Sequence, residues 1–126
     1  MKGQQLAAIT LLLFTFVSAP GLAHAQSFTG TITGIVQDQS GAVVDGAVVM
    51  ATNLDTRISR TATTNREGLY RVTSLLPGNY EIACEIQGFK RAVRSDVTLR
   101  VNETQRVDFE LVVGAVTEQV EVVGEA

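Results

Sequence analysis

Apolar and polar side chains alternate with period two along much of this chain. Over residues 80–86, Tyr80, Ile82, Cys84 and Ile86 fall on one side and Glu81, Ala83 and Glu85 on the other. Over 105–113, Val107, Phe109, Leu111 and Val113 face one way, and Arg106, Asp108 and Glu110 the other. Val97, Leu99 and Val101 repeat the pattern with Thr98 and Arg100 opposite. Successive side chains of a strand point to opposite faces, so each run predicts a half-buried β-strand, and no helical stripe competes with it. Residues 31–38, 47–54, 57–64, 69–73 and 119–123 are expected to add further strands, being rich in Val, Thr and Ile. Between them stand Asp38-Gln39-Ser40-Gly41, Asp45-Gly46, Asn65-Arg66-Glu67-Gly68, Pro77-Gly78-Asn79 and Gln87-Gly88. Such clusters turn the chain, because glycine reaches positive φ and Asp or Asn side chains bond the nearby backbone. Roughly seven or eight short strands punctuated this often predict an all-β, antiparallel Greek-key sandwich. Its expected core holds Tyr70, Tyr80, Ile82, Cys84, Val107, Phe109 and Leu111.

The first residues follow a different rule. Lys2 precedes an almost unbroken apolar run from Leu6 to Val17, then come Pro20-Gly21 and a small-x-small site at Ala23-His24-Ala25. That order of charge, apolar core and small-residue exit predicts a signal peptide over 1–25 and an exported product. The run is about 12 residues, short of the ~20 that span a bilayer, and no later stretch is apolar enough to cross a membrane as a helix. Cleavage after Ala25 leaves about 100 residues, the size of one domain. This divides the chain into a leader (1–25), a sandwich domain (26–113) and an extended linker or terminal strand (114–126).

Composition then narrows the chemistry. His24 is the single histidine and leaves with the leader, so Ser-His-Asp, Cys-His and histidine-rich zinc sites are not expected. Cys84 is the one cysteine; it has no disulfide partner within the chain and falls on an inward face, as a small buried apolar residue does. Asp38, Asp45 and Asp55 lack the alternating spacing of a calcium loop and are read as turn caps. Glu81, Glu85, Asp108 and Glu110 are the residue types of a glycosidase acid/base pair, but on solvent faces of strands they serve solubility. Arg91, Arg94, Arg100 and Arg106 can pair across strands with those acids. Asn102-Glu103-Thr104 matches a glycosylation sequon and sits where a turn is needed. The full chain carries a net charge of −3, and losing Lys2 makes the mature form more acidic, which disfavours nucleic acid. No catalytic, cofactor-binding or metal-binding residues are expected, and Phe89 is the one candidate platform for stacking on a glycan.

The same residues resemble a known family. Gly34, Val36, Asp38, Gly41, Val44, Gly46, Ala47 and Val49 are similar to the G-x-V-x-D-x-x-G-x-x-V-x-G-A-x-V opening of carboxypeptidase-regulatory-like domains. Thr64, Gly68, Tyr70, Leu75 or Leu76, Pro77, Gly78 and Tyr80 resemble the family's T-D-x-x-G-x-Y and L-x-P-G-x-Y elements, with Asn65 in place of the Asp, and Gly88-Phe89 its later G-[FY]. The resemblance runs from Thr31 to about Val113 and implies a prealbumin-like sandwich of the carbohydrate-binding-like fold. It also implies a non-catalytic accessory or interaction module, of the kind that precedes the plug and barrel of TonB-dependent outer-membrane receptors. The implied partner is that plug and barrel or another envelope protein, and the implied location is the periplasm or outer membrane. Residues 114–126 resemble the segment leading into a plug, so Ala126 is expected to be a truncation point. A carbohydrate-binding-like domain acting on cell-surface glycans is the alternative.

Overall fold

The computed structural model describes Gly21 and residues 28–122; the rest of the expected leader, residues 26–27 and the last four residues lie outside the described residues. Nine strands are present among the described residues: β1 (Gly30–Asp38), β2 (Val48–Asn53), β3 (Ser59–Thr63), β4 (Leu69–Leu75), β5 (Gly78–Glu85), β6 (Arg91–Leu99), β7 (Thr104–Arg106), β8 (Phe109–Leu111) and β9 (Gln119–Glu121). One sheet has the order β4-β1-β7, with β8 also on β1; the other has the order β3-β2-β5-β6-β9. Ile32, Val36, Tyr70, Val72, Val107, Phe109 and Leu111 from the first sheet meet Val49, Ala51, Tyr80, Ile82, Cys84, Val97 and Leu99 from the second in one apolar core. All seven residues expected in the core are buried, none more than 3 % exposed. This is a β-sandwich of two sheets, as the alternation predicts.

The expected count of seven or eight strands becomes nine because the run over 105–113 is broken in two. Gly34, in the middle of β1, is the cause. A Cβ there would lie 1.9 Å from the Val107 carbonyl oxygen, so only glycine lets the two backbones approach this closely. The Val107 carbonyl accepts a hydrogen bond from the Tyr70 hydroxyl instead of from a strand neighbour. The N–H of Ile35 is in turn taken by Asp108 Oδ1 at 2.9 Å. β7 thus pairs with β1 on one side of this crossing and β8 on the other, both in parallel. β6 and β9 are parallel as well, while β1/β4, β2/β3, β2/β5 and β5/β6 are antiparallel. The purely antiparallel expectation is corrected on this point: long connections let β7, β8 and β9 run alongside rather than against their neighbours.

Three other expectations are corrected. Val101 is 47 % exposed because β6 ends at Leu99 and the chain is already turning. Val113 is 72 % exposed, two residues beyond the end of β8, where the strand alternation no longer holds. Ala83, expected on the wet face, is buried. It sits in a strand between Met50 of β2 and Val93 of β6, and neighbours on both sides close over so small a side chain.

Two strands carry bulges. β4 shifts register between its pairs Leu75/Gly30 and Val72/Ile32, with Ser74 at φ 58°. β6 shifts between Val97/Tyr80 and Arg94/Ile82, with Asp96 at φ 58°. An extra residue in the left-handed conformation lets the strand bend while keeping its inward face on the core.

Candidate functional site

The residue types that could do chemistry are held apart by the sandwich. Glu81 and Glu85 lie on β5 of the five-stranded sheet, whereas Asp108 and Glu110 accompany β8 of the other. Glu85 is engaged by Arg91 at 2.6 Å, the residue directly across from it in the β5/β6 ladder, and Arg91 also donates to Gln119 Oε1 at 3.0 Å. Asp108 takes Arg106 at 3.0 Å and the Ile35 N–H. Glu85 and Asp108 are therefore ion-pair and backbone partners on opposite sheets, and the four acids are not brought together as an acid/base pair.

Asp38 caps its turn as expected, whereas at Asp55 the cap is Asn53, whose Oδ1 accepts the Asp55 N–H. Asp38 Oδ1 accepts from the Ser40 hydroxyl and from the N–H groups of Ser40 and Ala42, closing the β1 turn. The Ser40 bonds hold its carboxyl below the usual carboxylate range. Asn65 does the same work for the turn before β4, accepting from the Glu67 and Leu69 N–H groups, which is why it replaces Asp without penalty. Among the described residues no group of three or more His, Cys, Asp or Glu stands together as a metal site. The Asn102 of the sequon lies in the turn between β6 and β7 at φ 57°.

Cys84 is fully buried on the inner face of β5, and burial, with the nearby Glu85 charge, pushes its thiol up to about 12. A thiol so protonated is a packing group rather than a nucleophile. Phe89 sits in the loop between β5 and β6 opposite Val113, half-buried and packed against the core. Among the described residues Phe28 is the most exposed aromatic side chain, at 63 %.

Two clefts remain. A polar groove of about 520 Å³ runs along the β6 bulge, β7 and β9, lined by Arg94, Asp96, Thr98, Arg100, Glu103 and Glu121 among others. Its charges are mixed, and its lining has no aromatic ring. A more apolar cleft of about 330 Å³ opens where the margins of β3 and β4 meet, between Ile58, Arg60, Ser74, Leu75, Leu76 and Tyr80. The Tyr80 hydroxyl donates to the Leu76 carbonyl at 2.6 Å, which anchors the β4–β5 turn at the floor of this cleft. Asn53, also on its wall, is buried and accepts from the Asp55 and Thr56 N–H groups. The strand alternation placed Tyr80 inward, but the cleft depends on which sheet margins abut, and the sequence carries no signal for that.

A two-sheet sandwich with side-chain-capped turns defines a class of small β modules. The chain belongs to the carboxypeptidase regulatory-like domain family, whose model matches residues 31–112. It is 42 % identical over 103 residues to the TonB-dependent transporter Oar of Myxococcus xanthus, a match covering 81 % of this chain and 10 % of the transporter. The chain therefore spans about a tenth of that relative's length. Among solved structures it is similar to the Bacillus anthracis TIE protein (TM-score 0.57, 19 % identity, 68 % of this chain and 16 % of that one). It is also similar to a Bacteroides uniformis protein assigned to carbohydrate binding (TM-score 0.54, 20 % identity, 67 % and 41 %). Hydroxyquinol 1,2-dioxygenase of Pseudomonas putida shares the fold at 10 % identity (TM-score 0.55, 71 % and 58 %). At these identities the structures show a common sandwich and nothing about shared chemistry.

Proposed function

We propose that this chain is the non-catalytic accessory and interaction module of an exported envelope protein, equivalent to the corresponding stretch of a TonB-dependent transporter. The observation that carries this reading is the 42 % identity to Oar across 81 % of the chain. The dispersal of the acids and the buried, protonated Cys84 support a role in contact rather than catalysis. The module comprises residues 26–113 with a following segment 114–126, and residues 1–25 direct export to the periplasm or outer membrane. Its partner is a plug and barrel or another envelope protein.

The test is fractionation of cells expressing the tagged chain, with intact mass measured on the recovered protein. The expected product begins at Gln26 and is found in the envelope. A cytoplasmic product with Met1 to Ala25 intact would overturn the reading.

The glycan reading is supported by the shared fold with the Bacteroides uniformis protein. It is the weaker of the two, because a stacking platform needs an open ring face and Phe89 is packed on the core. Calorimetry with starch-like and cell-wall oligosaccharides separates the two: micromolar binding lost in Phe89→Ala would put the glycan first.

A further inference from the structure

One end of the sandwich gathers exposed apolar side chains from four separate segments. β1 starts at this end and β4 finishes there, with Gly30 opposite Leu75. In the second sheet β2 finishes where β3 and β5 start, and Gly78 of β5 lies opposite Leu99, the last residue of β6. The two sets meet, because Thr29, Ile58 and Leu76 line one cleft and the Asn102 N–H donates to the Thr29 carbonyl at 3.1 Å. Phe28 precedes β1, Ile58 precedes β3, Leu76 follows β4 and Val101 follows β6. Each of the four is 47–63 % exposed. Single exposed apolar residues are ordinary, but four at one end, around an apolar cleft, mark a surface that binds something.

Charge and spacing say what it binds. This end carries Arg57, Arg60 and Arg100 against Asp55 and Glu103, and none of the three arginines is in an ion pair among the described residues. The opposite end also exposes Val43, Val113 and Val116, but its loops carry Asp45, Glu67 and Glu118 against Arg66 and Lys90. In this acidic chain an anionic surface is therefore accepted at the first end and repelled at the second. Between the four apolar tips stand Thr56, Asn79 and Asn102, polar and exposed. A protein partner would have to match each tip with a pocket of its own. A fluid headgroup layer admits separate tips and solvates the polar groups between them.

We propose that this loop end is a contact surface for a lipid bilayer bearing anionic phosphate headgroups. Phe28, Ile58, Leu76 and Val101 enter the boundary between headgroups and acyl chains, and Arg57, Arg60 and Arg100 meet the phosphates. The arginines supply attraction and orientation, and the apolar tips hold the domain once it arrives. The proposal rests on the envelope reading and names the face that the module turns to the membrane.

The test is flotation of the chain from Gln26 onward with vesicles of phosphatidylcholine alone or of equal parts phosphatidylcholine and phosphatidylglycerol. The leader is left out because an apolar leader binds lipid by itself, and every residue of the core lies beyond it. The protein is expected to float with the mixed vesicles and to stay behind with phosphatidylcholine alone, and salt should weaken the association. Ile58→Asp combined with Leu76→Asp should abolish flotation, and Arg57→Glu should lower the partition about tenfold. These substitutions fall on exposed side chains, so the amide NMR spectrum should stay native. Val113→Asp, at the opposite end, should float as the parent does. Equal flotation on both vesicles, flotation that survives Ile58→Asp with Leu76→Asp, or its loss in Val113→Asp would each overturn the proposal. Flotation with neither vesicle would overturn it as well and give this end to a protein partner. The fractionation reports where the chain is sent and flotation what its loop end touches, so either can fail while the other stands.

Discussion

Tyr70 is the residue on which the crossing of β7 into β8 depends. Its hydroxyl satisfies the Val107 carbonyl, which Gly34 admits to within a distance no side chain would permit. Tyr70→Phe keeps the ring in the core and leaves that carbonyl unpaired, so the expected loss is ~1–3 kcal/mol in urea denaturation. Gly34→Ala should cost more than Tyr70→Phe, because its Cβ meets backbone rather than a movable side chain. A Gly34→Ala protein as stable as the parent would refute the close approach. Cys84 gives the residue-scale pH dependence. An unfolded thiol ionises near 9.0, while the folded one holds its proton to about 12. Tyr70, buried and raised in the same sense, adds to the effect. Above pH 9 the unfolded state releases protons that the native state retains, so stability is full below that point and falls as pH rises toward 12. Native Cys84 should resist thiol reagents at neutral pH and react once denaturant unfolds the chain; immediate labelling of the native protein would contradict its burial.

At the scale of elements, the bulge in β6 matters most. Asp96 occupies the left-handed region, which costs an ordinary side chain ~1–2 kcal/mol and an Asp less. Asp96→Val should destabilise by about 1–2 kcal/mol and Asp96→Gly should be neutral or slightly stabilising, read from denaturant midpoints. Equal stability of the two variants would mean the bulge is not held at Asp96. The hydrophobic pattern showed that Val97 and Leu99 share a face, but it did not show that the strand begins at Arg91. Across the bulge Val93 falls out of phase with Val97, so alternation read from the sequence alone breaks there. β7 and β8 were legible as one strand for a related reason: Val107, Phe109 and Leu111 are all inward, and nothing local reveals that the Val107 carbonyl is turned to Tyr70.

For the molecule as a whole, both sheets close on one core, and Phe109 lies where they meet, its ring centroid 6.3 Å from that of Tyr70. Phe109→Ala should cost ~3–5 kcal/mol, as aromatic truncations in a packed core do. A domain of this size has ~5–15 kcal/mol in total. The variant is therefore expected to melt at a far lower urea concentration, and an unchanged midpoint would put Phe109 outside the core.

The sequence by itself determined the all-β class, the turns and the inward residues within the strands that pair regularly, and its motifs identified the family. These follow from local periodicity and from turn chemistry that acts over a few residues. Asp38 and Asn65 bond backbone two and four positions away, and such contacts are written in adjacent letters. Tertiary structure alone decided the parallel pairing of β7 and β8 with β1, the bond from Tyr70 to Val107, the half-burial of Phe89, and the abutting margins that open the cleft beside β3. Each of these joins residues far apart in the chain, Tyr70 and Val107 by 37 positions. Alternation sets which face of a strand is apolar and leaves open which strand comes to lie beside it.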